Sequence, residues 1–296
     1  MKSINTPLIF VALTIVMANI SCRNDSTQNV VEAEKMERPA IVLVAFGTSN
    51  TEARKVFDYI DAAARRRYPD YDIRWAFTSQ FILKKLRSEG VDVKSLDQVV
   101  RELKSEGRTS AVFQSLHVAP GQEYREIEKI DTSGLRTSVG KALLAKDEDI
   151  EAVASAIKCY LDVDAVNVLV CHGNDHYPKF NSQLIALAET VESRHDNVFV
   201  CSISGQPGID KLQEARRQAA KTKAVNFVPM MIVAGVHVME DVMSEEPESW
   251  KSVVDAAETT CSKPVGYNDE ILEIYFRHLD NAIKKICEES PSDDTL

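Results

Sequence analysis

The chain has 296 residues, with 45 acidic against 35 basic side chains and a formal net charge of −10. That balance, with no basic block along the chain, excludes a phosphate-backbone binder, so nucleic acid is not an expected partner. The length suits two domains of ordinary size.

The chain opens on Lys2, an apolar stretch from Pro7 to Ile20, then Ser21 and Cys22. A basic residue, a short apolar segment and a small residue before a cleavage point describe a secretory signal, too short and too poorly flanked for a stable spanning helix. Cys directly after Ser predicts the lipoprotein version. Residues 1–21 are removed, taking only the charge of Lys2 with them, and Cys22 becomes the acylated first residue. Asn19 stands where Leu is common in such signals, and ordinary secretion is the alternative. Residues 22–38 read as a polar tether. The expected location is the cell envelope, lipid-anchored at the surface or periplasmic face of the outer membrane, with acyl chains that anchor without spanning.

AIVLVAF (40–46) is a continuous apolar run, the mark of a strand buried on both faces. After GTSN, Ala53, Val56, Phe57 and Ile60 recur at helical spacing through 51–68. IRWAFTS (73–79) predicts a second strand leading into a helix over QFILKKLRSEG, and Ser95 caps a helix that runs to Ser105. SAVFQSL (110–116) is a strand ending at His117, and 147–160 is helical. The order then repeats: strand 165–171, helix 181–193, strand 197–203, helix 209–221 and strand 224–234. A helix begins near Ser249, a last amphipathic helix runs from Asp269 to about Cys287, and the tail SPSDDTL is frayed.

Alternating strands and helices mean an α/β fold with mainly parallel sheets. The pattern runs twice, once opening on VLVAFG and once on VLVCHG. It predicts two similar doubly wound domains, 39–162 and 163–268, facing each other across a cleft. Residues 269–296 add a helix packing back on the first domain, plus the tail.

Four histidines, His117, His172, His176 and His237, fall at or just beyond predicted strand ends. That edge of an open α/β sheet is where ligands bind. Imidazole suits first-row divalent metals and haem iron and accepts protons near neutral pH; a histidine there also serves as a plain hydrogen-bonded structural residue. His172 and His237, delivered to the same rim, could face one metal or one planar ligand between them. His195 and His278 fall on helix flanks or faces. SLHVAPGQEY (115–124) puts His117 and Glu123 near one turn, and Glu240, Asp241, Glu245 and Glu246 either line a cation path or form a solvated face. The GTS loop lacks GxGxxG and the Walker Lys-Ser/Thr, so no nucleotide is expected. G-x-S-x-G is absent, and HGNDH is not HExxH. Cys159, Cys171, Cys201, Cys261 and Cys287 show no CxxC spacing, so a zinc cluster is not expected. Cys171 and Cys201 sit inside apolar strands as small hydrophobes, and one or two disulfides remain open without a chosen pairing.

AFGTS (45–49), RWAFTS (74–79), QSLHVAPGQEY (114–124), CHGNDH (171–176), PMMIVAGVH (229–237) and ESWK (248–251) together resemble the anaerobic cobalt chelatases of the CbiK type. The resemblance covers nearly all of the chain after residue 38, with the motifs in the family order. It implies two flavodoxin-like halves and insertion of a divalent metal, Co2+ or Fe2+, into a tetrapyrrole held in the cleft, with no organic cofactor or nucleotide. Carried over, the metal-facing histidines fall on His172 and His237, and the family's intervening glutamate falls on Ser204, in Ile203-Ser204-Gly205-Gln206-Pro207. Val236 replaces the usual Asp before the second histidine. Insertion requires loss of two pyrrole protons, and a carboxylate ligates and neutralises where a serine hydroxyl does so poorly. Glu123 or His176 would have to compensate, with His117 beside them as a further tetrapyrrole-binding candidate.

The predicted export signal turns the resemblance toward haem-binding lipoproteins of iron uptake, the FetB or IhtB type. The implied activity is then haem or porphyrin binding for iron or haem acquisition, with metal insertion or removal as an accompanying step. His172 or His237 would be an axial ligand, and an outer-membrane uptake transporter a further partner. The alternative is an active sirohydrochlorin cobaltochelatase or ferrochelatase.

Overall fold

The computed structural model describes residues 38–288. The predicted signal, Cys22, the tether up to residue 37 and the tail beyond 288 lie outside the described residues. Two four-stranded sheets, all parallel, make up the fold. The first holds β1 (Ala40–Ala45), β2 (Ile73–Phe77), β3 (Ser110–Ser115) and β4 (Arg136–Gly140) in the order β2-β1-β3-β4. The second holds β5 (Val166–Gly173), β6 (Val198–Ser204), β7 (Ala224–Pro229) and β8 (Glu258–Cys261) in the order β6-β5-β7-β8. Each half therefore starts at an inner strand, steps to one side, and crosses to the other. The loops after β1 and β3, and after β5 and β7, flank the point where winding reverses, the place where such sheets bind ligands.

Helices cover both faces, as parallel sheets require. α1 (Thr51–Arg67) starts at Asn50, whose side chain accepts from the Ala53 N–H, and it buries Val56, Phe57, Ile60, Ala63 and Ala64. α2 (Gln80–Ser88) follows Ser79, and α3 (Leu96–Ser105) opens with a reciprocal Ser95–Gln98 capping box. Replacing Ser95 by Ala would cost about 1 kcal/mol. α4 (Gln122–Glu128) and α5 (Asp147–Ala156) complete the first half. α6 (Ser182–Glu192), α7 (Leu212–Thr222), α8 (Trp250–Val254) and α9 (Asp269–Glu288) follow.

Strand periodicity divides the core. Ile41 and Leu43 of β1 and Leu169 and Cys171 of β5 belong to one continuous cluster that joins the halves through α1, α6 and α9. Their alternates point the other way, Val42 and Val44 against α3, Val168 and Val170 against α7. α9 packs on β3 and β4. Its Tyr275 is fully buried, and the hydroxyl donates to the carbonyls of Leu116 and His117 at 3.2 and 3.1 Å. Burying such a side chain contributes about 2 kcal/mol or more. His278 of α9 is also buried, 3.1 Å from Asp149.

Three features depart from the sequence expectation. β4 and β8 are edge strands without an apolar run, β8 exposed along most of its length and β4 burying only Ser138 and Gly140. α4 is short and has no side-chain cap. The strand predicted to Ala234 stops at Pro229, because proline cannot continue the ladder as a donor. Met230 and Ile232 remain buried, but in irregular chain. His237 thus stands eight residues past the strand rather than at its end. The five cysteines among the described residues are free thiols, Cys171 and Cys201 buried. No helix among the described residues is long and apolar enough to cross a membrane.

Candidate functional site

The second half's reversal point carries both central histidines. His172 lies near the end of β5, before Gly173, whose φ is +72°. A Cβ on Gly173 would stand 1.8 Å from the Ser204 carbonyl oxygen, so only glycine lets β5 and β6 close at this point. Within that turn the His172 ring donates from Nδ1 to the Gly173 carbonyl at 2.9 Å. His237 opens a single π-helical turn, Val238–Val242, a local form that often marks functional sites. The widened turn brings Asp241 to its ring, Nδ1 to Oδ2 at 2.7 Å.

The two rings are 5.1 Å apart between centroids and inclined at 80°. Both residues are exposed on the rim. A carbonyl oxygen and a carboxylate only accept, so the proton of each neutral ring sits on Nδ1 and the lone pair on Nε2. Asp241 does for His237 what outer carboxylates do for metal-binding histidines, fixing the ring and its tautomer. The pair can therefore offer two nitrogen donors to one ion or accept protons at one spot.

The first half approaches this rim with the loop after β1. Asn50 donates to the Met239 sulfur at 3.2 Å, and the Thr48 hydroxyl lies 3.3 Å from where a Cβ of Gly235 would stand. Phe46, Val236 and Met239 on these loops are exposed apolar side chains, 48, 44 and 56 % accessible. Apolar lips around two nitrogen donors suit a flat, aromatic ligand. Beyond Asp241 the acidic face continues into a cavity of about 440 Å3 lined by Glu240, Glu246, Glu248 and Trp250.

The other candidates do not join the pair: among the described residues, no group of three His, Cys, Asp or Glu side chains stands together as a metal-holding set. Ser204 ends β6 opposite Gly173 in register, and its hydroxyl bond to the Asp175 carboxylate holds that group below the ordinary carboxylate range. His176, expected to compensate, points outward with 87 % of its side chain exposed, 3.8 Å from Asp175. Glu123 sits half-buried on α4 in the other half. His117 holds the first half's corresponding place after β3. Its Nδ1 is 2.9 Å from the Ser115 hydroxyl, while Nε2 is buried without a partner among the described residues. Burial drops its pKa to about 4, so this ring is neutral at ordinary pH. Sequence reasoning named Asp241 only as part of an acidic stretch. Its spacing of four from His237 was the available signal.

Two parallel α/β halves joined by one core, with paired histidines at a reversal point, define a protein of the chelatase fold. Residues 39–284 match the family model described as cobalt chelatase (CbiK), and the chain belongs to that family. It is similar to the sirohydrochlorin cobaltochelatase CbiKC of Nitratidesulfovibrio vulgaris, 29 % identical over 265 residues covering 85 % of this chain and 93 % of that protein. It is equally similar to the sirohydrochlorin cobaltochelatase of Salmonella typhimurium, 29 % identical over 86 % of this chain and 99 % of the relative. The structure of SirB from Bacillus subtilis with Fe3+ superposes with a TM-score of 0.59 at 12 % identity, covering 86 % of this chain and 98 % of that one, a likeness of fold.

Proposed function

We propose that this protein transfers a divalent metal ion, Co2+ or Fe2+, into a sirohydrochlorin-type tetrapyrrole lying over the His172–His237 pair. The observation that carries this reading is the pair itself: two rings 5.1 Å apart, each committed at Nδ1 to an acceptor. Entry of the metal expels two pyrrole protons. Neutral imidazoles serve first as donors to the incoming ion and then as acceptors of the departing protons. Asp241 steadies the imidazolium that results. Two protein donors leave most of the ion's coordination open, which favours handing it on over holding it. The names of the two sirohydrochlorin cobaltochelatases above support the same substrate class.

The test is anaerobic insertion of Co2+ and Fe2+ into sirohydrochlorin, followed by absorption. Wild-type rates should exceed the no-protein control and fall in His172→Ala and His237→Ala. Rates equal to the control would sink the proposal.

A second reading is favoured by Ser204, which puts no carboxylate beside the pair. In it the same rim binds haem or a porphyrin for iron or haem acquisition, with one of the two histidines on the iron, and delivers it to an outer-membrane uptake transporter. A Soret shift on haem addition, weakened in the histidine variants, would favour it; an unchanged spectrum would end it. Export and lipid anchoring through Cys22 belong to either reading. Cys22→Ala should release the protein from the membrane fraction, and an unmodified N-terminus by mass spectrometry would refute the anchor.

A further inference from the structure

A second cavity, of about 450 Å3, lies between the halves. From the first half, α4 supplies Tyr124, Arg125 and Glu128; from the second, the turn Pro178–Asn181 supplies Lys179 and Phe180. Two cations flank the Phe180 ring, the Arg125 guanidinium 5.8 Å and the Lys179 ammonium 5.1 Å from its centroid. Both are exposed residues, and among the described ion pairs neither takes part in one. Among the described residues Glu128 is the one acid lining the cavity, so these walls carry a net positive charge.

A second observation points to a missing ligand. Tyr124 is 4 % exposed, yet among the described residues its hydroxyl has no hydrogen-bond partner. Burial, followed by the nearby Glu128 carboxylate, pushes the hydroxyl well above its ordinary pKa, so it stays protonated. A buried hydroxyl left unpaired costs stability unless something entering the cavity accepts from it. The cavity is also tied to the histidine rim. Asn181, which closes the turn bearing Lys179 and Phe180, donates to the Asn174 carbonyl at 2.7 Å, two residues after His172.

We propose that this cavity is a carboxylate subsite, in which Arg125, Lys179 and the Tyr124 hydroxyl bind acidic side chains at the edge of the tetrapyrrole. The inference rests on the tetrapyrrole reading above and deepens it. Guanidinium and ammonium donors make the stronger class of hydrogen bond to carboxylates. Phe180, between them, offers an apolar face against which the ring edge can lie. A macrocycle rich in peripheral carboxylates gains most from such a subsite, and a dicarboxylate porphyrin gains least.

Fluorescence quenching of three free porphyrins by the full mature protein tests this: octacarboxylate uroporphyrin, tetracarboxylate coproporphyrin and dicarboxylate deuteroporphyrin. Wild type should bind in that order of decreasing affinity, with salt weakening uroporphyrin most. Arg125→Gln and Lys179→Gln should each weaken uroporphyrin on the order of tenfold while leaving deuteroporphyrin within about twofold. Tyr124→Phe, which keeps the buried ring, should weaken uroporphyrin severalfold. Both cations are exposed, so the Gln variants should melt with wild type. If they bind uroporphyrin as tightly as wild type does, the subsite is wrong and the tetrapyrrole reading stands. If wild type quenches with none of the three, the tetrapyrrole reading falls and this inference falls with it.

Discussion

The two halves share one strand order and differ in what they place at the reversal point. In the first half, the loop after β3 tucks His117 inward, with Nε2 buried and unpaired and the ring neutral. In the second, the loops after β5 and β7 push His172 and His237 outward, rings 5.1 Å apart and each oriented by an acceptor. A histidine after a strand is thus a packed residue in one copy of the architecture and an open donor in the other. Topology selects the place for chemistry, while loop length and the partner of Nδ1 decide whether chemistry is there.

The contrast breaks most visibly if the outward pair is cut. On the proposed reading, His172→Ala or His237→Ala should lower metal insertion at least about a hundredfold, because each would remove a donor and proton acceptor at the transferring ion. The measurement is the initial rate with Co2+ and sirohydrochlorin. His117→Gln should leave that rate within a few-fold, and an equal loss in all three would mean that the halves act as one site.

His117 should show itself in pH dependence instead. Its folded pKa of about 4 lies below the ordinary histidine value of 6.5, so the unfolded chain binds the proton first as pH falls. The stability this burial permits is complete above about pH 6.5 and is lost progressively as pH drops toward 4. That one group should lower unfolding free energy by about 2 kcal/mol between pH 7 and pH 5. Chemical denaturation of wild type should show this slope, and His117→Gln should flatten it. An unchanged slope would mean the ring is hydrated in the folded protein.

Asp241 carries a smaller share. Asp241→Asn keeps a hydrogen-bonding side chain but removes the charge that favours the Nδ1–H tautomer of His237. Metal affinity should fall about tenfold, at the lower end for such orienting groups because the pair is exposed. Calorimetric titration with Co2+ checks this, and affinity matching wild type would reduce the 2.7 Å contact to a surface ion pair.

Which of these residues could be found beforehand follows from where their signals lie. His172 and His237 follow apolar runs and were visible, and so was the repeated strand–helix order. β4 and β8 were not, because edge strands bury little and show no apolar run. Continued hydrophobicity through Met230 and Ile232 masked the end of β7 at Pro229, since burial and strand geometry separate there. Lys179 neighbours Phe180 on one turn, and only the docking of the halves brings Arg125 of α4 to the same ring. No local pattern encodes that meeting.

Ser204→Glu sharpens the comparison from the other side. The strand register holds position 204 against Gly173, next to His172, while the native hydroxyl is engaged with Asp175. A glutamate there adds an oxygen donor beside the two nitrogen donors and removes the donor that lowers Asp175, whose pKa should rise. Co2+ affinity should increase severalfold, the gain limited by repulsion from Asp175 at this exposed rim. The consequence for turnover separates the two functional readings. If transfer is limited by capturing the ion, insertion should speed up with affinity. If the rim evolved to take a metal already inside its macrocycle, the new carboxylate should compete for the iron face and weaken haem binding without creating insertion. Unchanged metal affinity would show that position 204 does not face the histidines, and the absence of a carboxylate there would lose its bearing on function.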